Sequence, residues 1–428
     1  MNTRPRYERR CVPVPEEHDV LVAGAGVGGL TAALCLHAAG IPVRLVEASA
    51  PPLPAGTGVT LLPAAVAELT ALGLGEPLAA LGIAPAALVL YDRHGGPLWS
   101  RPRGLALGHP VPQYGIHRAA LQDLLLRAVR ERLGPHALRT ATSVVRFDEA
   151  GDHTVRVTLR DGVRGRDHTE RARALVGADG PRSAVRAVLH RGEGPPRWDG
   201  TWLWRGLVPW RQVLGGRTVA FAGGGDARLL VQPVSRAAEL AGQALLHWSA
   251  TVRFAPGRPG TVGAADWNRR GRLADLLPHF TGWRLGDLDV PAMLASTPQI
   301  HASPVVRRPP LRRWGQGAAS LLGDAAHPFL PAALDGTSQA VLDAAVLARC
   351  LARTTPDRGS GLRLYEHHRL PRALALHPPG PLPTDTLFDL VTARAPDGFD
   401  HVEDVLTPAE LGGFSRAQQE LEAAAGAW

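Results

Sequence analysis

The stretch VLVAGAGVGGL, residues 20–30, limits what this chain can fold into more than any other. Four apolar, strand-like residues run into spaced glycines, and the helix-forming segment LTAALCLHAAG follows at once. Next comes IPVRLVE, a second strand ending on Glu47. Strand, glycine turn, helix and strand within about 30 residues make a βαβ unit, and with it a parallel sheet covered by helices. Gly24 permits the tight strand-to-helix turn, Gly26 lets a diphosphate approach the backbone, and Gly28-Gly29 lets helix and strand pack closely. The helix N-terminus adds free N–H groups and a partial positive charge, and Glu47 stands where a carboxylate accepts ribose hydroxyls. The pattern predicts a dinucleotide site and leaves NAD and FAD both open.

Further along, the pattern predicts a helix over Ala64–Leu72 and an amphipathic one over Ala119–Arg132, directly after Ile116-His117-Arg118. Residues 140–175 and 198–255 read as short strands, followed by a helical stretch near Trp267–Leu277. A strand at Ala319–Leu322 leads to a long helix from Gly336, whose apolar stripe faces a core, and then to a helix over Leu362–Arg372. The last 50 or so residues open on HPPGPLPTD and end in an Ala-rich helix. The implied architecture is α/β at both ends with a β-rich insertion in the middle.

Composition excludes several classes. The net charge of +8 comes from arginine alone, since the chain has no lysine, and these arginines form no basic block. With aromatics at 5%, no nucleic-acid partner is expected. No run of about 18 apolar residues exists, so no membrane span is expected. The opening MNTRPRYERRCVPVPEEHD has no apolar segment of a signal peptide and reads as a flexible tail. Cys11, Cys35 and Cys350 are too scattered for a disulfide framework or a metal site; a cytoplasmic protein without metal is expected.

Two more motifs carry chemistry. In GADGPRSAVR a strand ends at Asp179-Gly180 and turns into a helix holding Ser183 and Arg186; alone, this also fits an ordinary Asp-Gly turn. In LLGDAAHPFLPAALDGTSQA a strand ends at Asp324, placed to meet a polyol, and Gly336-Thr337 opens a helix whose N–H groups face a negative charge. His327, beside Pro328, reads as a structural imidazole, with proton transfer as its alternative.

As a set, GAGVGG with Glu47, IHRAALQDLL, GADGPRSAVR and LLGDAAHPFLP with DGTSQAVLDAA resemble the single-component FAD monooxygenases that hydroxylate aromatic rings. The resemblance covers about residues 18–372. WRGLVP, ADWNRRGRLADLLPHFTGWRLGDLDVP and HVEDVLTPAELGGFSRAQQ are similar to the branch of the salicylate hydroxylases and the methylphenazine-carboxylate monooxygenase. It implies an α/β protein of the para-hydroxybenzoate hydroxylase fold: a Rossmann-like FAD-binding domain, an inserted mixed β-sheet substrate domain and a helical C-terminal region. The expected parts are a tail (1–17), the FAD domain (18–190 and 301–372), the substrate domain (191–300) and a C-terminal extension (373–428).

The resemblance also implies residue roles. Arg118 reaches the FAD, Asp324 the ribitol, and Gly336-Thr337 the isoalloxazine edge; Asp179-Gly180 line the pyrophosphate and the nicotinamide path, and Val144 and Pro331 add cofactor contacts. NAD(P)H would reduce FAD, and a flavin C4a-hydroperoxide formed with O2 would hydroxylate a small aromatic or polycyclic substrate, in some relatives with loss of a carboxylate. Secondary metabolism and a monomer or homodimer are expected. His109, His247 and Tyr114 are candidate bases, and none declares itself. The chain departs from the family pattern at Ala333 (often Gly), at Arg307-Arg308 (commonly Asp-Arg), at His247 (frequently Asn) and at Ala64 (Asn). A non-redox flavin-fold protein that binds a ligand or guides a cyclisation remains the alternative. An NAD dehydrogenase leaves the second and third motifs without purpose, and a flavin halogenase would need the lysine this chain lacks.

Overall fold

Glu17–Ala23 lies inside a seven-stranded sheet, with Val20 to Val22 fully buried. The computed structural model describes residues 17–50, 57–151, 153–254, 269–329, 336–377 and 380–426. Val43–Val46 and Arg166–Gly177 flank this strand, both parallel to it, with Ala23 opposite Val46 and Gly177. The last residues of Arg166–Gly177 also pair in parallel with Ala319–Leu321, which carries the chain into Gly323-Asp324. Three strands of one sheet therefore end side by side, each followed by one of the three motifs. Helix Val27–Ala38 is apolar nearly all round because both faces are covered, and it packs against Arg118–Leu133 and Gly336–Arg353. The first of these was expected over Ala119–Arg132 and the second from Gly336; Pro63–Ala71 and Arg358–Ala375 likewise fall where helices were read.

A second seven-stranded sheet runs Ile300–Arg307, Arg197–Arg211, Gln243–Arg253, Ala227–Pro233, Thr218–Gly224, Ala87–Asp92, Pro97–Pro102. All its pairings are antiparallel except that of Ala87–Asp92 with Thr218–Gly224. The hairpin 87–102 falls inside the segment 18–190 and completes the sheet built mainly by residues 197–307. Alternating ALVLYD fits the edge of either sheet, and its partner lies more than a hundred residues away, beyond the reach of local pattern. Of the helix expected near Trp267–Leu277, the described residues hold Leu273–Leu276 and a 3-10 turn over Leu277–Phe280.

The C-terminal helices Pro383–Arg394 and Pro408–Gly426 are folded onto this second sheet and share a core with the hairpin. Phe388 is fully buried, edge-on to Phe221 with ring centroids 5.3 Å apart. It fills the space above Gly223, where a Cβ would come within 2.3 Å of the ring. A buried Phe stabilises such a dock by about 2–3 kcal/mol. No helix among the described residues is long and apolar enough to cross a membrane.

Candidate active site

The three motifs are held together by contacts too close for side chains. Gly24 has φ +105°, and a Cβ there would sit 2.4 Å from the Ala178 carbonyl oxygen of the second motif. A Cβ on Gly29 would lie 1.9 Å from the Gly24 oxygen, and one on Gly28 would lie 2.7 Å from Leu322 Cδ2, just before the third motif. At Gly26 nothing stands within 4 Å. Gly26 caps Val27–Ala38 without a side-chain bond, and the helix has no acid in its first turn. An open backbone above an uncapped helix start is a site for a diphosphate.

Around this turn the polar groups are fixed. Glu47 accepts from the amides of Ala25 (2.8 Å) and Ser49 (2.9 Å), which sets its carboxylate against the glycine turn. Buried Gln122 donates to the Ala25 carbonyl at 2.9 Å, a support that sequence reading missed because glutamine on an amphipathic helix looks like surface. Asp179 Oδ2 accepts from Ala184 N (2.7 Å) and Val185 N (3.3 Å), while its Oδ1 is buried without a partner. Burial raises its pKa, and bonds from Ser183 and nearby backbone amides work against that. Gly180 follows with φ +76°. Arg186, also missed, donates Nη1 to the carbonyls of Ala325 (2.9 Å) and Ala326 (3.0 Å) and so ties the second motif to the third. Both signals were present as an Arg and a Gln on helix faces, but only tertiary contact separates such residues from solvated ones.

Next to the third motif lies a cavity of about 830 Å³ between the two sheets. Arg118, Asp324, Gly336 and Thr337 all line it. Asp324 is exposed, and its side chain lines the cavity. Burial raises its pKa, with His327 and Arg118 opposing. Arg118 opens its helix, donates its amide to Thr57 O at 2.8 Å, and has its pKa lowered by burial. Gly336 is the first residue of Gly336–Arg353, whose first turn carries no acid, and a Cβ there would be 3.5 Å from Asp324 Oδ1.

Val144 stands apart: its side chain is buried in the core beneath the first sheet and does not line the cavity. Pro331 and Ala333 lie outside the described residues. Of the three candidate bases, exposed His109 and buried His247 line the cavity, and Tyr114 does not, packing beneath Gly82. Burial pushes the His247 pKa down to about 4; the Gly206 carbonyl opposes this, and Arg205 and His117 add to it. A neutral imidazole therefore stands in the sheet wall at neutral pH.

His327 is engaged elsewhere. Its Nε2 lies 2.6 Å from Asp343 Oδ2, which also accepts the Gly323 amide at 2.9 Å. Arg369 Nε binds Asp343 Oδ1 at 2.6 Å, Arg369 Nη2 donates to Gln339 Oε1 at 2.8 Å, and Gln339 Nε2 donates to Ala425 O at 2.8 Å. Burial would raise the Asp343 pKa, but the neighbouring His327 and Arg369 outweigh it and hold the carboxyl well below the usual range. The imidazole of the third motif thus belongs to a buried truss reaching the C-terminal helix.

The FAD binding domain family matches residues 17–200. The phenazine 1,6-dicarboxylic acid hydroxylase PhzS of Lysobacter antibioticus is 45% identical over 368 residues, 84% of this chain and 88% of that protein. The chain belongs to the FAD-dependent aromatic monooxygenases. A salicylate hydroxylase of Pseudomonas putida is 30% identical over 392 residues, 83% of this monooxygenase and 82% of that one. The crystal structure of CtdE with FAD and its substrate 4 superimposes with a TM-score of 0.73 at 21% identity, covering 95% and 98% of the two chains. The monooxygenase therefore has the para-hydroxybenzoate hydroxylase fold and takes FAD as its cofactor.

Proposed function

We propose that this monooxygenase uses NAD(P)H and O2 to hydroxylate a fused-ring heteroaromatic small molecule of the phenazine class, in secondary metabolism and in the cytoplasm. The observation that carries this reading is the single cavity that runs from Arg118, Asp324 and Gly336 to an apolar wall of the second sheet. The PhzS relative, at 45% identity, acts on a phenazine dicarboxylic acid.

The residues present fit FAD. The open backbone at Gly26 and the N-terminus of Val27–Ala38 would hold the diphosphate, and Glu47 the adenosine ribose. The buried, unpartnered Asp179 Oδ1 lies beside the Gly24 turn and offers an acceptor to a hydroxyl donor there. Asp324 would take the ribityl chain, and the N-terminus of Gly336–Arg353 would stabilise negative charge on the ring system. When bound, FAD supplies the redox chemistry: electrons from NAD(P)H, and insertion of one atom of O2 into an electron-rich ring while the other leaves as water.

The chain's own tasks are orientation and water exclusion. Leu88, Phe221 and Leu230 give the wall its apolar character, and neutral His247 adds a hydrogen-bonding group without a charge. The test is purification, loading with FAD, and measurement of NAD(P)H oxidation and O2 uptake with phenazine-1,6-dicarboxylate. Mass spectrometry should show a gain of one oxygen atom, or exchange of a carboxyl for a hydroxyl. A flavin-loaded protein that consumes no NAD(P)H faster with any fused-ring acid would refute the proposal.

A further inference from the structure

Part of the cavity wall is built by elements outside all three FAD motifs. Helix Pro408–Gly426 contributes Gln418, Leu421 and Glu422, and the segment after the hairpin Ala87–Pro102 contributes Arg103. Glu422 sits between two cations. Arg103 Nη1 is 2.6 Å from its Oε1, which also accepts from Gln418 Nε2 at 3.0 Å, and Arg101 Nη1 is 3.4 Å from its Oε2. The side chains are largely buried, Arg103 to 11% exposure, Arg101 to 19% and Glu422 to 22%. Arg101 Nη1 is itself buried and makes no hydrogen bond. Arg103 lines the cavity and Arg101 does not; the two guanidinium groups share one carboxylate, leaving the cluster one negative charge short.

Position adds to the argument. Glu422 stands one helical turn before Ala425, whose carbonyl binds Gln339, and Gln339 is one turn into the helix that starts at Gly336. The path from Gly336 to the cluster is two turns plus a side chain, on the order of 15 Å. The same cavity is lined by the apolar side chains Leu88, Phe221, Leu230 and Leu421. A flat body of two or three fused rings with an acidic group at its outer end matches this sequence of surfaces.

We infer that Arg103, backed by Arg101 and balanced by Glu422, is an anion anchor that receives a carboxylate on the outer end of a fused-ring substrate. This rests on the reading of the cavity as the substrate site. A carboxylate there supplies the missing charge, and guanidinium geometry suits it. Arg103 then decides specificity: acids are held, and neutral analogues of the same shape are not.

A plain structural latch would bind Glu422 in the same way, so the test separates the two roles. Acridine-4-carboxylate and acridine-4-carboxamide are titrated into the holoenzyme, and acridine fluorescence reports binding whether or not oxidation follows. The wild type should favour the acid by about tenfold or more. Arg103→Leu should weaken the acid by roughly 10- to 100-fold and leave the amide within about threefold. Glu422→Gln, which removes the competing anion, should tighten the acid and supplies an independent reading if Arg103→Leu folds poorly. Equal weakening of acid and amide in both variants, or no preference for the acid in the wild type, overturns the anchor. Binding with the expected preference but no oxidation refutes the monooxygenase substrate reading and leaves the anchor standing.

Discussion

Replacing His247 by Asn should flatten the acid sensitivity of this protein. The imidazole is 6% exposed, packed under Gly58 so closely that a Cβ on the glycine would lie 2.4 Å from its own Cβ, and faced by the cation Arg205 and by His117. Its pKa falls from 6.5 to about 4, a difference of about 2.5 units. The unfolded chain therefore binds a proton that the folded protein refuses throughout that window. Stability is complete above about pH 6.5 and is lost as the pH falls towards 4. At 1.36 kcal/mol per unit the full effect is about 3 kcal/mol, most of which is lost between about pH 8 and pH 4.5. Urea unfolding of wild type and His247→Asn at those two pH values gives the comparison. The wild type should lose about 2 to 3 kcal/mol more than the variant on acidification, whatever the substitution costs at pH 8. Equal losses in the two proteins would show that His247 is not held neutral, and its reading as an uncharged hydrogen-bonding group in the cavity wall would go.

Gly29→Ala should abolish retention of yellow FAD on purification and lower the melting temperature, because the new methyl must displace the Gly24 carbonyl 1.9 Å away; normal flavin absorbance would refute the close-packing account. Asp343→Asn removes a fully buried charge shared by Gly323 N, His327 and Arg369. It should cost about 3–5 kcal/mol in chemical denaturation, while a loss under about 1 kcal/mol would deny the truss its structural role.

The first motif could be read at once because its constraints are local. A turn that needs φ +105° at Gly24, and a contact of 1.9 Å between a Gly29 Cβ and the Gly24 oxygen, select glycine from within a few residues. The long helix from Gly336 was legible for a similar reason, since its apolar stripe repeats within one element. The hairpin Ala87–Pro102 was not, because its parallel partner Thr218–Gly224 is set by a register between distant segments. Nor were Gln122, Arg186 and Glu422, whose neighbours along the chain say nothing of the carbonyl or guanidinium they meet. His327 shows the same limit from the other side: next to an Asp and two prolines it invites a catalytic reading, while its real partner, Asp343, comes one helix later.

That partner explains why the third motif is so dense. Asp343 takes Gly323 N on one side of Asp324 and His327 on the other, so one buried carboxylate fixes both ends of the turn that presents Asp324 to the cavity. Its second oxygen passes the constraint through Arg369 and Gln339 to Ala425, on the helix that carries Glu422. The group that would hold the ribityl chain and the helix that carries the group balancing the anion anchor are thus joined by one continuous set of hydrogen bonds. Asp343 has both oxygens engaged in this network, while His327 Nδ1 is buried without a hydrogen-bond partner. The imidazole of the motif is therefore a structural member that ties the turn bearing Asp324 to the helix that carries Glu422.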